Sequence, residues 1–411
     1  NGRFMIIKKI EHIDLILLFF LAIIFVTTPV QELGTGLMRL IISRDTLITD
    51  YTSVSGIGPT LLNVFFVMAF TLFVQRINRI ELNGFVMAGL LTTMGFSFFG
   101  KNIYNILPVY AGVYLYSRFN NKPFRQYFVI AMFGAGLAPI ATNTIELNIF
   151  WIILGISIKI FYGFILVPLA SHIIRFHNGY VLYNIGFTGG IFAMLFTGIF
   201  RTLGYELDVV VDVNQSQYVH QILLMILLSI SGYFLLFGII KGGFCWHKYK
   251  RMMSMSGRAI TDYYGLFGEE MTLINMGVVG LLLTMVALST GLTLNGATVG
   301  SIISVIGFAA FGKNPKNITP VIIGCLLIIA ATNATITPAV ILTIIFVTGL
   351  APLAGEYGFF IGIIAGVMHF CLVQYTADWQ GGANLYNNGF AGGFVAGIIH
   401  SIMDSLFRRK A

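Results

Sequence analysis

Charge is what this sequence has least of: Asp, Glu, Lys and Arg make up 10% of its 411 residues, against 57% hydrophobic. A water-soluble fold cannot hide that much apolar surface, so the composition points to a polytopic membrane protein in a lipid bilayer. Cysteine is scarce as well. Cys245, Cys325 and Cys371 have no metal or redox spacing, so no disulfide framework follows. The seven histidines form no HExxH or other zinc pattern, and there is neither a Walker loop nor a GxSxG elbow. These absences argue against an enzyme, and no cofactor or metal is implied. The net charge of +8 would suggest nucleic acid in a soluble chain. Here the basic residues read as topology signals, and no nucleic-acid partner is expected.

What is present is an internal duplication. FFGKNIYNILPV (98–109) matches AFGKNPKNITPV (310–321) at an offset of 212, which also aligns Asn63 with Asn275, Asn83-Gly84 with Asn295-Gly296 and Gly112 with Gly324. AGLAP (135–139) meets TGLAP (348–352) one residue out of step, and GYVLYNIGFTGG (179–190) meets GANLYNNGFAGG (382–393) at an offset of 203. Internal duplication with inversion is the signature of a solute carrier or channel whose site lies between the halves.

Seven apolar segments can be drawn in each half: 13–30, 57–74, 82–99, 103–117, 128–143, 149–174 and 180–200, then 220–240, 271–288, 294–311, 317–330, 337–354, 357–375 and 384–407. The stretch 13–30 reads as a permanent span rather than a signal peptide, because its counterpart at 220–240 is internal. With the N-terminus (Arg3, Lys8, Lys9) in the cytoplasm and fourteen crossings, 19 of the 24 basic residues fall on inside loops or termini, among them the tail Arg408-Arg409-Lys410. Arg39, Arg44, Lys101 and Arg201 fall outside, and Lys159 lies within a segment. Homologous loops differ in charge: SRFNNKPFRQ (117–126) is basic and ATNATIT (331–337) uncharged, while SHIIRFHNG (171–179) is basic and TADWQGG (376–382) acidic. The linker with Glu206, Asp208 and Asp212 is placed outside. Two inverted repeats with both termini cytoplasmic account for this pattern.

The expected fold is therefore an all-α polytopic membrane protein of two inverted repeats, about seven segments each, some short, broken or re-entrant. Residues 1–200 form the first repeat, 201–219 an extracytoplasmic linker and 220–411 the second repeat. Segments 103–117 and 317–330 are the re-entrant candidates, since 12–15 helical residues cover roughly 18–22 Å of a hydrocarbon core about 30 Å thick.

The candidate substrate-binding residues are mostly those kept in both halves. Lys101, Asn102 and Asn105 correspond to Lys313, Asn314 and Asn317, ahead of Pro108 and Pro320. Asparagine offers donor and acceptor, and a broken helix start adds free amides suited to a polar or anionic solute. The alternative is a pair of local caps, each with a snorkelling lysine. Tyr183-Asn184 and Tyr386-Asn387 form the second set, because a buried Asn in a span needs a partner. The glycines beside them read as helix-packing residues. Asn63/Asn275 and Asn83/Asn295 read as interhelical hydrogen-bonding or helix-start residues. Lys159 has no repeat-mate, so an interior ion pair or bound anion is expected for it, with snorkelling along a tilted helix as the alternative. No carboxylate is expected in both halves at matched membrane positions; Glu146, Glu356 and Asp378 flank segments.

On the two FGKNxxNIxPV and two YNxGFxGG copies, the chain resembles an uncharacterised family of bacterial membrane proteins known as a domain of unknown function that occurs twice per chain. It is also similar, more weakly, to urea transporters, whose halves carry a glycine-bracketed Gly-Tyr-Asn segment. The comparable residues are Gly179, Tyr183, Asn184 and Gly186, and Gly382, Tyr386, Asn387 and Gly389. The spacing departs from that pattern, and GKNxxN has no equivalent in it. The expectation is an inner-membrane carrier for a small polar neutral or anionic solute, with a passive urea-transporter-like channel as the alternative. Its partners would be the bilayer, the small-molecule solute and, as an open option, further copies of the chain.

Overall fold

The computed structural model describes residues 11–43, 45–140, 149–205, 207, 211–259 and 261–407. Of the residues named above, Arg3, Lys8, Lys9, Arg44, Glu146, Glu206, Asp208 and Arg408 to Lys410 lie outside the described residues. A backbone in lipid must satisfy its own polar groups, and helices do so within one segment. Among the described residues the regular elements are all helical. The first repeat contains α1 (His12–Thr27), α2 (Val30–Ile41), α3 (Tyr51–Ser55), α4 (Ile57–Ile77), α5 (Gly84–Phe96), α6 (Ile103–Phe119), α7 (Phe128–Gly134), α8 (Ile149–His177) and α9 (Asn184–Thr202). The second contains α10 (Gln217–Gly242), α11 (Trp246–Met253), α12 (Tyr263–Phe267), α13 (Glu269–Ser289), α14 (Gly296–Phe308), α15 (Pro315–Thr332), α16 (Pro338–Phe346), α17 (Ala351–Tyr357), α18 (Phe359–Trp379) and α19 (Asn387–Phe407).

Every expected apolar segment carries helix. Among the described residues, nine helical stretches are long and apolar enough to cross a membrane, or ten if α1 and α2, bent by 113°, count as one. The short elements are not where the sequence suggested. α6 and α15 run 17 and 18 residues: α6 continues past the apolar run through Arg118 and Phe119, and α15 starts at Pro315 and continues to Thr332. The short pair is α5 and α14, 13 residues each and almost wholly buried. At 1.5 Å per residue each covers about 20 Å.

The inversion can be read from side-chain contacts. In the first turn of α1, Asp14 pairs with Arg76 at the end of α4 (2.6 Å), and His12 pairs with Glu269 at the start of α13 (3.0 Å). The end of α4 and the start of α13 therefore share one face, here called the α1 face. Yet α4 and α13 are repeat-equivalents of 21 residues each, about 31 Å long. Their equivalent ends lie on opposite faces, so the repeats are inverted.

α5 and α14 cross antiparallel at the centre. The equivalent residues Thr92 and Ser304 are hydrogen-bonded to each other (3.0 Å). Close approach requires glycine there: a Cβ on Gly95 would lie 2.1 Å from the Gly300 carbonyl oxygen, and one on Gly300 equally close to that of Gly95. The halves are also stapled reciprocally. Asp262 caps α12 and accepts from the Gly84 amide at the start of α5 (2.9 Å). Asp50 caps α3 and accepts from the Gly296 amide at the start of α14. These two are a carboxylate pair at matched positions outside the apolar segments, which the expectation about membrane positions did not cover. Both sit at helix starts, occupied with backbone amides.

Candidate functional site

The GKN residues are buried, 0–2% exposed. Asn102 and Asn105 form a capping box at the start of α6, and Asn314 and Asn317 form one at α15. Asn63 donates to the Ser97 and Lys101 carbonyls, and Asn275 to those of Ala309 and Lys313, which holds each turn against its neighbouring helix. Asn83 and Asn295 cap α5 and α14. The spare amide hydrogens of the boxes go to Gly100 O from Asn105 and to Gly312 O from Asn317, both at 2.8 Å. None of these asparagines lines either cavity described below. The geometry displays the local caps of the second sequence reading but not its snorkelling lysines: Lys101 and Lys313 are both fully buried and bonded within the protein.

The repeats differ in one acceptor. Asp45 Oδ2 takes hydrogen bonds from Asn102 and Asn105, each 3.0 Å, where the second repeat offers the Met252 and Ser256 carbonyls to Asn314 and Asn317. Burial outweighs the opposing pull of Tyr51, the Lys159 charge, Asn105 and Ser43 and leaves the Asp45 carboxyl raised to about 6. Lys159 is 3% exposed, so it does not reach water along its helix. The Asp45 carboxylate acts on it through the interior, without a direct ion pair between the two.

The tyrosines cross between halves. Tyr183 of the first repeat lies against Gly349 of the second, and Tyr386 against Gly136. Added Cβ atoms on Gly349 and Gly136 would stand 2.3 and 2.1 Å from those rings. Backbone bonds seat both segments: Leu182 N to Gly349 O and Leu385 N to Gly136 O, each 3.0 Å. Gly186 and Gly389, in the first turns of α9 and α19, touch each other between the tyrosines. The GKN lysines break this symmetry. Lys313 donates to the Tyr183 hydroxyl and to Thr348 Oγ1 (2.9 Å), whereas Lys101 donates to the Met132 carbonyl (3.1 Å). The Tyr386 hydroxyl, buried beside Thr92, has no well-formed hydrogen bond among the described residues.

Two cavities flank this layer. One, about 140 Å³, is walled by Phe85, Phe133, Phe308, Phe311, Tyr183, Asn184, Gly186, Ala259 and Tyr386. It lies toward the α1 face, where Gly84 meets Asp262. The other, about 130 Å³, is walled by Leu47, Leu342, Gln374, Ala377, Asn387 and Asn388 among others, toward the opposite face. Five positions are repeat-equivalent: Ala259 with Leu47, Val129 with Leu342, Ile174 with Ala377, Asn184 with Asn387, and Ile185 with Asn388. The first cavity reaches both tyrosines; neither lines the second.

Of the expected site residues, Tyr183, Asn184 and Tyr386 are thus brought together in one cavity and Asn387 stands in its counterpart. Asn184 spends its side chain on His177 Nε2 (2.9 Å) and the Ala170 carbonyl (3.3 Å), so it faces the cavity through its backbone. Gln380, the repeat-equivalent of His177, binds Asn387 in the same way (2.9 Å). The aromatic wall of Phe85, Phe133, Phe308 and Phe311 escaped sequence reading, because phenylalanine within an apolar run carries no positional signal. Among the described residues no cluster of His, Cys, Asp and Glu could hold a metal ion.

The family described as "Protein of unknown function (DUF1576)" matches residues 30–202 and again residues 243–405. No curated protein and no solved structure matches the chain. The similarity to urea transporters is not carried by these matches.

Proposed function

The chain belongs to the DUF1576 family, and from its site we propose that it is a membrane carrier that moves a small solute between the two cavities by alternating access. The observation that supports this most is the pair of cavities built from equivalent positions of inverted repeats, only one of which reaches the central tyrosines. Inverted repeats can exchange conformations, and that exchange would deepen the second cavity while closing the first. Tyr183 and Tyr386, packed against Phe308, Phe346 and Phe96, form the barrier. Lys313 bonded to Tyr183 is the latch of the present state. In the exchanged state Lys101 would take the Tyr386 hydroxyl, which has no well-formed hydrogen bond among the described residues here. The basic α1 face, with Arg76, Lys241, Lys248, Lys250 and Arg251, is the cytoplasmic one by the positive-inside rule, in a bacterial inner membrane.

A leak assay separates carrier from channel. Proteoliposomes carrying the wild-type chain should show no glycerol or urea permeability above protein-free vesicles in stopped-flow light scattering. The Tyr183→Ala/Tyr386→Ala double variant should leak. Rapid urea or glycerol passage through the wild type would replace the carrier with an open channel.

A further inference from the structure

The two YN segments are alike in sequence but start their helices differently: one of the bonds at α19 comes from a side chain that α9 lacks, and two come from main-chain carbonyls that accept no such amide at α9. At α19, Asn384 Oδ1 accepts from the Tyr386 amide (3.0 Å), Asn384 O accepts from the Asn387 amide (3.1 Å), and Tyr386 O accepts from the Gly389 amide (2.6 Å). At α9 the position of Asn384 is taken by Val181, fully buried, which has no side-chain acceptor. Phe187 N bonds Tyr183 O (2.9 Å), but among the described residues no acceptor meets the amides of Tyr183, Asn184, Ile185 or Gly186. Those four residues all line the cavity on the α1 face. Four free amides at the start of a 19-residue helix make an anion site by dipole and by hydrogen bonding.

Two further observations point to the same ligand. Among the described residues the Tyr386 hydroxyl, on a residue 4% exposed that lines this cavity, has no well-formed hydrogen bond; the Thr92 hydroxyl beside it is a weak partner, being engaged with Ser304 at 3.0 Å. Lys313, 0% exposed, stands behind the wall residues Tyr183 and Phe308, and among the described residues no carboxylate pairs with it. The rest of the wall is aromatic: Phe85 stacks near Phe311 (4.0 Å between centroids) and Phe133 on Phe308 (5.4 Å). A cavity of about 140 Å³ takes one ring, since an engineered apolar cavity of about 150 Å³ accepts benzene.

We propose that the cavity on the α1 face binds a small organic carboxylate with a flat apolar body of about one ring, its carboxylate on the free α9 amides and the Tyr386 hydroxyl. This rests on the carrier reading for its location and narrows the solute from polar neutral or anionic to anionic with an apolar body. Lys313 supplies field rather than contact, because Tyr183 lies between it and the cavity.

Benzoate is the probe, with benzamide as its neutral isostere and acetate as the anion without a ring. Thermal unfolding of the purified full chain in detergent should rise saturably with benzoate and stay unmoved by benzamide or acetate at equal concentration. Val181→Asn copies the cap that the second repeat already tolerates and should weaken the apparent benzoate affinity about tenfold. Tyr386→Phe should do so by a similar factor, the scale of one charge-assisted hydrogen bond. No benzoate shift, an equal shift with benzamide, or an unchanged affinity in both variants would overturn the assignment. The leak assay stands apart from these readouts, so a chain that binds no benzoate yet seals vesicles remains a carrier for another solute.

Discussion

At the scale of the residue, Asp45 and Lys159 are held in place by burial. Removing one partner leaves a buried charge exposed to its full desolvation cost, whereas removing both does not. Lys159→Met alone should destabilise by about 3–5 kcal/mol, and Lys159→Met with Asp45→Asn should recover most of that loss. Thermal unfolding in detergent measures both, and a double variant no better than the single one would dissolve the coupling. Lys159 was visible in the sequence as a lone intramembrane charge. The carboxylate that acts on it was not, because Asp45 sits 114 positions away in a polar loop without a repeat-mate. Asp50 and Asp262 were legible in principle: the same offset of 212 aligns DYTSVSG (50–56) with DYYGLFG (262–268), two stretches outside the apolar segments. The GKN asparagines show the opposite failure. Retention in both repeats was equally compatible with a solute site and with a cap that each inverted copy needs.

At the scale of the element, glycines decide where helices can meet. Gly186 lies where a Cβ would stand 2.6 Å from the Tyr386 Cβ, while a Cβ on Gly198, further along the same helix, would meet nothing within 4 Å. Gly186→Ala should cost about 1–3 kcal/mol through overpacking at the α9/α19 contact. Gly198→Ala should be neutral or stabilising by up to about 1 kcal/mol from helix propensity. Equal unfolding temperatures for the two would remove the central contact from the account. The glycine motif was readable from spacing; the shortness of α5 and α14 was not. Both lie in hydrophobic runs of ordinary length, 82–99 and 294–311, and what shortens them is the polar capping turn at each end, set by Asn83, Asn295 and the GKN residues. The unequal starts of α9 and α19 were present in part in the sequence as Val181 against Asn384, but only the hydrogen bonds give that difference a consequence.

At the scale of the molecule, loop charge and duplication carried the architecture: an all-α membrane protein with inverted repeats follows from both, and the His12 and Asp14 contacts express the same inversion in three dimensions. What neither signal held was the asymmetry of state. That arises from the packing of side chains far apart in sequence, with Lys313 reaching Tyr183 while Lys101 turns to a backbone carbonyl. Alternation of the two cavities is the central claim, and it is tested most directly by cysteine accessibility at the equivalent wall positions Ala259 and Leu47. In a background with Cys245, Cys325 and Cys371 replaced, Ala259→Cys and Leu47→Cys are labelled separately in vesicles of known orientation with a membrane-impermeant maleimide. The account predicts that Ala259→Cys reacts only from the α1 face and Leu47→Cys only from the other. A transported solute, or a variant that breaks the Lys313–Tyr183 bond, should then change their rates in opposite directions. Labelling of both from one face, or rates that rise and fall together, would contradict it.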